Sequence, residues 1–319
     1  MRILFVTATR IGDAVLSTGL LGHLHERYPA ARFTIAAGPV AAPLFAAFPA
    51  LERLIVVEKR RHALHWPLLY ARVAGTRWDI IVDLRASALP WLLRAGARRS
   101  LVKGRAGEHR VEQLARVVAA DPPPAPRLWT DAVHEGEAAA LVPAGGPVLA
   151  IGPAANWRGK QWRGERFAEL AQRLTAPGGI LPGARVAVLA APHERPQALP
   201  LLQALPADRI LDLVGKADLL TAAAALRRSV LFVGNDTGLM HMAAAVGTPT
   251  LGLFGPSQAQ HYAPWGPRNA VARTAIPRQE LFGPGFDHRT TDTMMDSLSV
   301  EAAEAAAVGL WQRIGGKAA

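Results

Sequence analysis

The sequence predicts an α/β protein built from two doubly wound, parallel-sheet domains. Three observations carry that prediction. Short, wholly apolar runs of strand length alternate with segments of helical spacing from the first residues onward. The alternation breaks off in proline- and glycine-rich sequence and then starts again. The 319 residues, 50% hydrophobic and 19% charged, suffice for two ordinary domains and are too apolar for a disordered chain.

The elements follow in order. Residues 3–6 are an unbroken apolar run, which suits a strand covered on both faces. Between 13 and 28 the apolar residues Ala14, Leu16, Leu20, Leu21 and Leu24 fall on a helical stripe. Further strands are expected at 33–36, 54–57 and 80–84, with helices at 62–74 and 110–120. The stretch D-P-P-P-A-P at 121–126 can be neither helix nor central strand. A second break, P-A-G-G-P at 143–147, leads into a new strand. The boundary is therefore expected at 146/147, giving an N-terminal domain 1–146 and a C-terminal domain 147–319. The second run predicts strands at 148–152, 185–190, 210–214, 230–234 and 249–253. Its helices are expected at 165–175, 194–204, 218–227 and 238–246, with Ser299 capping a last helix to about 313. Ligands of such sheets bind outside the carboxyl ends of the strands, and a cleft between two such domains is the expected site.

Composition removes several classes. There is no cysteine, which excludes a disulfide scaffold, a thiolate metal site and a cysteine nucleophile. The opening M-R-I-L-F-V-T-A-T-R-I-G-D meets Arg10 after a short apolar run, so no secretory leader is expected. Residues 33–51 carry no formal charge but contain Gly38, Pro39, Pro43 and Pro49, which reads as strand, turn and short helix. Dinucleotide, P-loop, zincin and nucleophile-elbow motifs are missing. The nearest approach, Gly152 to Lys160, places six residues between its glycines, and Gln161 stands where a magnesium-binding hydroxyl belongs. No RNA-recognition or helix-turn-helix signature stands out, so no nucleic-acid partner is expected. The formal charge is +11, and residues 59–116 alone hold 13 basic against 4 acidic side chains. Such a face attracts phosphates, or is simply an arginine-rich surface.

Three motifs remain. In T-R-I-G-D at 9–13, Gly12 permits a tight turn and close approach to a substrate. Asp13 at the helix start suits a general base for an attacking hydroxyl, or a plain first-turn aspartate. In G-P-A-A-N-W-R-G-K-Q-W at 152–162, Arg158 and Lys160 suit neutralisation of a departing diphosphate; alternatively the tryptophans pack and the cations are solvated. In G-N-D-T-G-L-M-H at 234–241 a strand runs straight into a helix whose first amides, near Thr237 and Gly238, form a phosphate site. Asp236 would repel phosphate there unless it points elsewhere, for instance to sugar hydroxyls. His241, one turn on, faces the same pocket or is structural.

Taken together, Gly12-Asp13 after the first strand, W-x-x-K-x-W at 157–162, and G-N-D-T-G-x-x-H at 234–241 followed by G-T-P and F-G-P-S resemble glycosyltransferase family 9. These are the ADP-heptose:lipopolysaccharide heptosyltransferases and their relatives. The resemblance runs from residue 1 to about 303. It implies a GT-B fold, two Rossmann-like domains with the active site between them. It also implies inverting, metal-independent transfer of heptose from ADP-heptose to a lipopolysaccharide inner-core acceptor on lipid A, with no cofactor. It makes Asp13 the catalytic base and Lys160 the lysine on the donor phosphate. Asp236, Thr237, Gly238 and His241 form the donor block, with Asn156 beside it and Glu194 toward the donor ribose. Gly12, Lys59, Arg60 and Arg61 fall on the acceptor side, where the basic window would meet acceptor phosphates and the anionic inner leaflet. The chain departs from its relatives at Asn156, where small hydroxyl residues are common, and in lacking cysteines at 276–296. The expected setting is cytoplasmic, with peripheral contact to the inner membrane. A sugar-nucleotide epimerase of the same fold and a non-catalytic polyanion or membrane binder are the alternatives.

Overall fold

In the computed structural model, which describes residues 1–283 and 285–316, the chain divides into two units, Met1–Asp131 and Ala132–Ala319. The first strand, β1 (Arg2–Val6), is buried from Ile3 onward. Leu4 and Val6 face one side of its sheet and Ile3 and Phe5 the other, so the run reads as continuously apolar.

In the first unit β1 is followed by α1 (Ile11–Arg27), β2 (Arg32–Ala37), β3 (Leu51–Val56), α2 (His65–Val73), β4 (Trp78–Asp83), the single turn α3 (Leu89–Leu92), β5 (Ala95–Ser100) and α4 (Arg110–Ala115). The sheet is parallel, in the order β3-β2-β1-β4-β5. The chain winds outward from β1 to β3, returns, and adds β4 and β5 on the other side. The winding therefore reverses between β1 and β4. The proline stretch after α4 is packed rather than loose: a Cβ on Gly19 of α1 would lie 2.3 Å from the Pro124 carbonyl oxygen. The Arg127 amide donates to Thr18 Oγ1 at 3.0 Å.

The second unit holds α5 (Ala132–Leu141), β6 (Val148–Gly152), α6 (Gly164–Thr175), β7 (Arg185–Val188), α7 (Arg195–Leu202), β8 (Ile210–Asp212), α8 (Leu219–Arg227), β9 (Leu231–Asn235), α9 (Gly238–Ala245), β10 (Thr250–Phe254), α10 (Ala259–Tyr262), β11 (Asn269–Arg273) and α11 (Val300–Arg313). The parallel order β11-β10-β9-β6-β7-β8 puts the reversal between β6 and β9. The α6 stripe Phe167, Leu170, Ala171, Leu174 is buried at helical spacing. Ser299 caps α11 by accepting from the Ala302 amide at 3.2 Å.

The structure differs from the sequence expectations in several places. The units divide at 131/132, not 146/147, because α5 packs on α8: Thr221 donates to Glu137 at 2.6 Å and Arg228 to the Val142 carbonyl at 2.7 Å. Helix α2 starts at His65 rather than 62, since His62 and Ala63 hold positive φ of 52° and 57°. Helix α4 ends at Ala115 rather than 120, and Ala119 has φ 52°. Strands β5 and β11 carry arginines and lie on sheet edges, so they lack the apolar run that marked the others. Gly12 is not in a turn: it lies inside the first turn of α1 without a positive φ.

Candidate functional site

In the second unit the loops after β6 and β9 leave adjacent strands at the point where the winding reverses, the position at which such sheets hold ligands. The β6 loop carries Asn156, Arg158 and Lys160; the β9 loop carries Asp236 and Thr237. Lys160 Nζ donates to Asp236 Oδ2 at 2.6 Å. The Asp236 side chain is only 7% exposed and that of Lys160 28%, so the cation is the partner that faces outward. His241 Nε2, buried on α9, lies 3.8 Å from the other Asp236 oxygen. Thr237 begins α9 in an extended conformation and no side chain caps the helix start. The amides of Gly238 and Leu239 thus stand at the positive end of the helix beside an ammonium group. A buried carboxylate, a half-open lysine and an uncapped helix start lie side by side, an arrangement chemically suited to holding a phosphate next to a hydroxyl acceptor.

The two loops are fastened by a residue that motif reading passed over. Asn235, wholly buried at the end of β9, accepts from the Trp162 amide at 3.1 Å and donates to the Pro153 carbonyl at 2.8 Å. It spans both ends of the β6 loop. Its place between Gly234 and Asp236 was visible; its burial and partners, more than seventy residues away, were not. From the other side Met294 donates to the Gly159 carbonyl at 3.0 Å, and the Thr293 hydroxyl to that of Gln161. Thr293 and Met294 therefore support the lysine loop, the first through its side chain and the second through its backbone.

The remaining residues of this unit divide in role. Trp162 is a core residue, packed on Phe167 and bonded to the Leu298 carbonyl. Trp157 donates to the His288 carbonyl at 2.8 Å, and its ring covers Gly159, where a Cβ would come within 2.7 Å. Arg158 is drawn away to the exposed Asp292 at 2.7 Å. Asn156 stands exposed. Glu194, half-buried after β7, uses one oxygen to accept from the Ala191 amide at 2.8 Å. Among the described residues no group of three or more His, Asp or Glu side chains is placed to hold a metal ion.

In the first unit Asp13 is half-buried in the first turn of α1, just beyond the carboxyl end of β1. Lys59, Arg60 and Arg61 are exposed beyond the end of β3. A further loop, not anticipated, occupies the reversal point beside β1. Asp83, wholly buried at the end of β4, accepts from the Arg85 amide at 2.8 Å, the Ser87 amide at 2.6 Å and the Ser87 hydroxyl at 2.7 Å. This holds Ala86 at φ 49° and lays the Arg85 guanidinium 5.4 Å from the centre of the Trp66 ring. The signal D-L-R-A-S matches no general motif, so only strand order exposes it.

Comparison with known proteins bears on the family and the fold. The profile of glycosyltransferase family 9 (heptosyltransferase) matches residues 85–283. The chain is 25% identical over 315 residues to lipooligosaccharide heptosyltransferase 2 of Haemophilus influenzae, covering 86% of this chain and 88% of that protein. It is 29% identical over 298 residues to lipopolysaccharide heptosyltransferase 1 of Pseudomonas aeruginosa, covering 81% and 79%. Among solved structures, the Escherichia coli heptosyltransferase WaaC with ADP superposes with a TM-score of 0.72 at 20% identity, covering 97% of this chain and all of the other.

Proposed function

From the premise that the chain belongs to glycosyltransferase family 9 (heptosyltransferase), and so is a glycosyltransferase, we propose that it moves heptose from ADP-heptose to a lipopolysaccharide inner-core acceptor, with inversion and without a metal ion. The observation that carries this reading is the Lys160–Asp236 pair beside the uncapped start of α9. The ADP found with a solved relative supports the nucleotide. The second unit takes the donor. Its diphosphate accepts from the amides of Gly238 and Leu239 and draws Lys160 toward it, and Asp236 turns to the heptose hydroxyls. His241 and Asn156 line the same donor site, and Glu194 gives an oxygen to the ribose. As the sugar–phosphate bond breaks, negative charge grows on the departing ADP. Lys160 and the helix start meet it in fixed positions, so little reorganisation is needed during the step.

The first unit takes the acceptor. Asp13 removes the proton of the attacking hydroxyl. Gly12 lets the acceptor approach, and Lys59, Arg60, Arg61 and Arg85 meet its phosphates. The enzyme acts in the cytoplasm, at the inner face of the inner membrane, where such an acceptor is presented.

The test is thermal unfolding with ADP, UDP, GDP and CDP. A ligand at a hundred times its Kd adds about 2.7 kcal/mol, roughly 5–10 °C for a unit of this size. ADP is expected to give that shift, UDP none, and Lys160→Ala is expected to lose most of it. A shift with another nucleotide alone would discard ADP-heptose; no loss in Lys160→Ala would remove the lysine from the site.

A further inference from the structure

The connection from β4 to β5 is fastened from both of the strands it joins. Asp83, the last residue of β4, is wholly buried and turns its carboxylate into that connection. One oxygen accepts from the Arg85 amide, the other from the amide and the hydroxyl of Ser87. From β5, Arg98 donates to the carbonyls of Pro90 at 2.7 Å and Leu93 at 2.9 Å. Leu84 donates to the Val6 carbonyl at 2.8 Å, so the segment sets out along the end of β1, beside the connection that leads to α1 and Asp13.

This is more fastening than a strand end needs. A buried carboxylate is costly where no cation offsets it. Among the described residues Asp83 has no basic side-chain partner, and its bonds go to two amides and a hydroxyl. An asparagine or a serine would close an ordinary turn without that cost. What the three bonds secure is a backbone that alanine rarely adopts unaided: Ala86 sits at φ 49°, in the left-handed region. The consequence falls on Arg85. Asp83 sets its backbone, and its guanidinium lies 5.4 Å from the centre of the Trp66 ring. Trp66 is packed in turn on the cluster that holds Leu4, Val6, Leu69 and Val73. The Arg85 side chain stays part-exposed, and among the described residues no carboxylate is paired with it. Lys59, Arg60 and Arg61 are exposed, and such long side chains lose rotamer freedom when they bind. Arg85 has given up that freedom beforehand, so it is preorganised to receive an anion.

We propose that Asp83 is a positioning residue: acting through Arg85, it makes the first unit select an acceptor bearing an anionic group, a phosphate or a sugar carboxylate, over the same saccharide without it. The proposal rests on the reading that the first unit takes the acceptor, and its test uses binding alone, without donor or turnover. Calorimetric titration compares a deacylated lipopolysaccharide inner-core saccharide in three forms: intact, treated with phosphatase, and with its carboxylates reduced. The parent is expected to bind the intact form about tenfold more tightly than one of the neutralised forms, and that form identifies the group. Asp83→Asn is expected to bind the intact saccharide about five- to tenfold more weakly and to lose the preference, while its circular dichroism and ADP shift stay those of the parent. Ser87→Ala, which removes one of the three bonds and leaves the carboxylate in place, should bind about threefold more weakly. The double variant Asp83→Asn/Arg85→Gln should bind within about twofold of Arg85→Gln alone, because the two act through one guanidinium. A merely structural role would lower the affinity for all three forms alike and add to the loss in Arg85→Gln. A parent that binds the three forms equally, an undiminished preference in Asp83→Asn, parent-like binding by Ser87→Ala, or additive losses in the double variant would each overturn the proposal. The ADP shift reports the donor side separately: its absence from the parent would sink the ADP-heptose reading and leave these saccharide measurements to decide the role of Asp83.

Discussion

Replacing Asn235 by alanine asks whether the two loops of the proposed donor site are held as one body. The side chain is wholly buried, accepting from the Trp162 amide at one end of the β6 loop and donating at the other to the carbonyls of Pro153 at 2.8 Å and Ala154 at 3.5 Å. Alanine strands the Trp162 amide and the Pro153 carbonyl where water has no access, because Trp162 is 1% exposed. Each stranded group costs about 1–3 kcal/mol, so the pair costs roughly 2–6 kcal/mol. At about 2–4 °C per kcal/mol for a unit of this size, that is a fall of roughly 4–24 °C. The transition to follow is the one ADP is expected to raise, since it would report the unit proposed to bind the nucleotide. Lys160 stands two residues before Trp162, so ADP affinity is expected to fall as well, at temperatures where the variant is still folded. Asn235→Asp is the control. It keeps an acceptor for Trp162 but loses the donation to Pro153 and sets a carboxylate against that carbonyl, so it should rescue little. If Asn235→Ala melted within about 1 kcal/mol of the parent and bound ADP equally, Asn235 would not hold the loop, and the Thr293 and Met294 contacts would carry it instead.

Three further outcomes are expected. Asp13→Asn should lower transfer by about a hundredfold or more while the ADP shift survives; near-normal turnover would end the base assignment. Arg85→Gln should raise the acceptor KM by about tenfold and leave the ADP shift alone, as for a lost charge-assisted contact of roughly 1.4 kcal/mol; an unchanged KM would make Arg85 a packing partner of Trp66 only. The hydrogen bonds from Arg163 to Asp296, both at 2.6 Å, hold that carboxyl below its ordinary range. A depressed carboxylate contributes stability above its unfolded pKa and loses it as pH falls through the folded value. The gap between parent and Asp296→Asn should therefore be present at neutral pH, stay under about 1 kcal/mol because the pair is nearly half exposed, and close in acid. A gap that is the same at neutral and strongly acid pH would refute the linkage.

What could be read from the sequence follows from which forces are local. Strands β1, β6, β9 and β10 are covered on both faces, so their apolar runs stand out whatever lies beside them. Strand β5, with Arg98 and Arg99, is a strand only because β4 lies alongside it, and no composition rule could find it. The helix at 132–141 lies outside the expected elements for the same reason. Its allegiance is decided by Glu137 and Thr221, 84 residues apart. At the candidate site, the motif residues were legible because an uncapped helix start after a buried strand is a local feature. The Lys160–Asp236 pair, spanning 76 residues, was not. It exists because β9 enters the sheet beside β6, so that two loops remote in sequence leave adjacent strands. The same rule explains the largest omission. Strand β4 enters beside β1, which puts the Asp83 loop next to the connection from β1 to α1, the helix that carries Asp13. Asp83 and Arg85 have no spacing relation to Asp13 that a motif could encode; their neighbourhood is a consequence of strand order. In a doubly wound sheet the residues most easily missed are therefore those on the strand that returns to the centre, and a search for further acceptor contacts in this chain should begin at the end of β4.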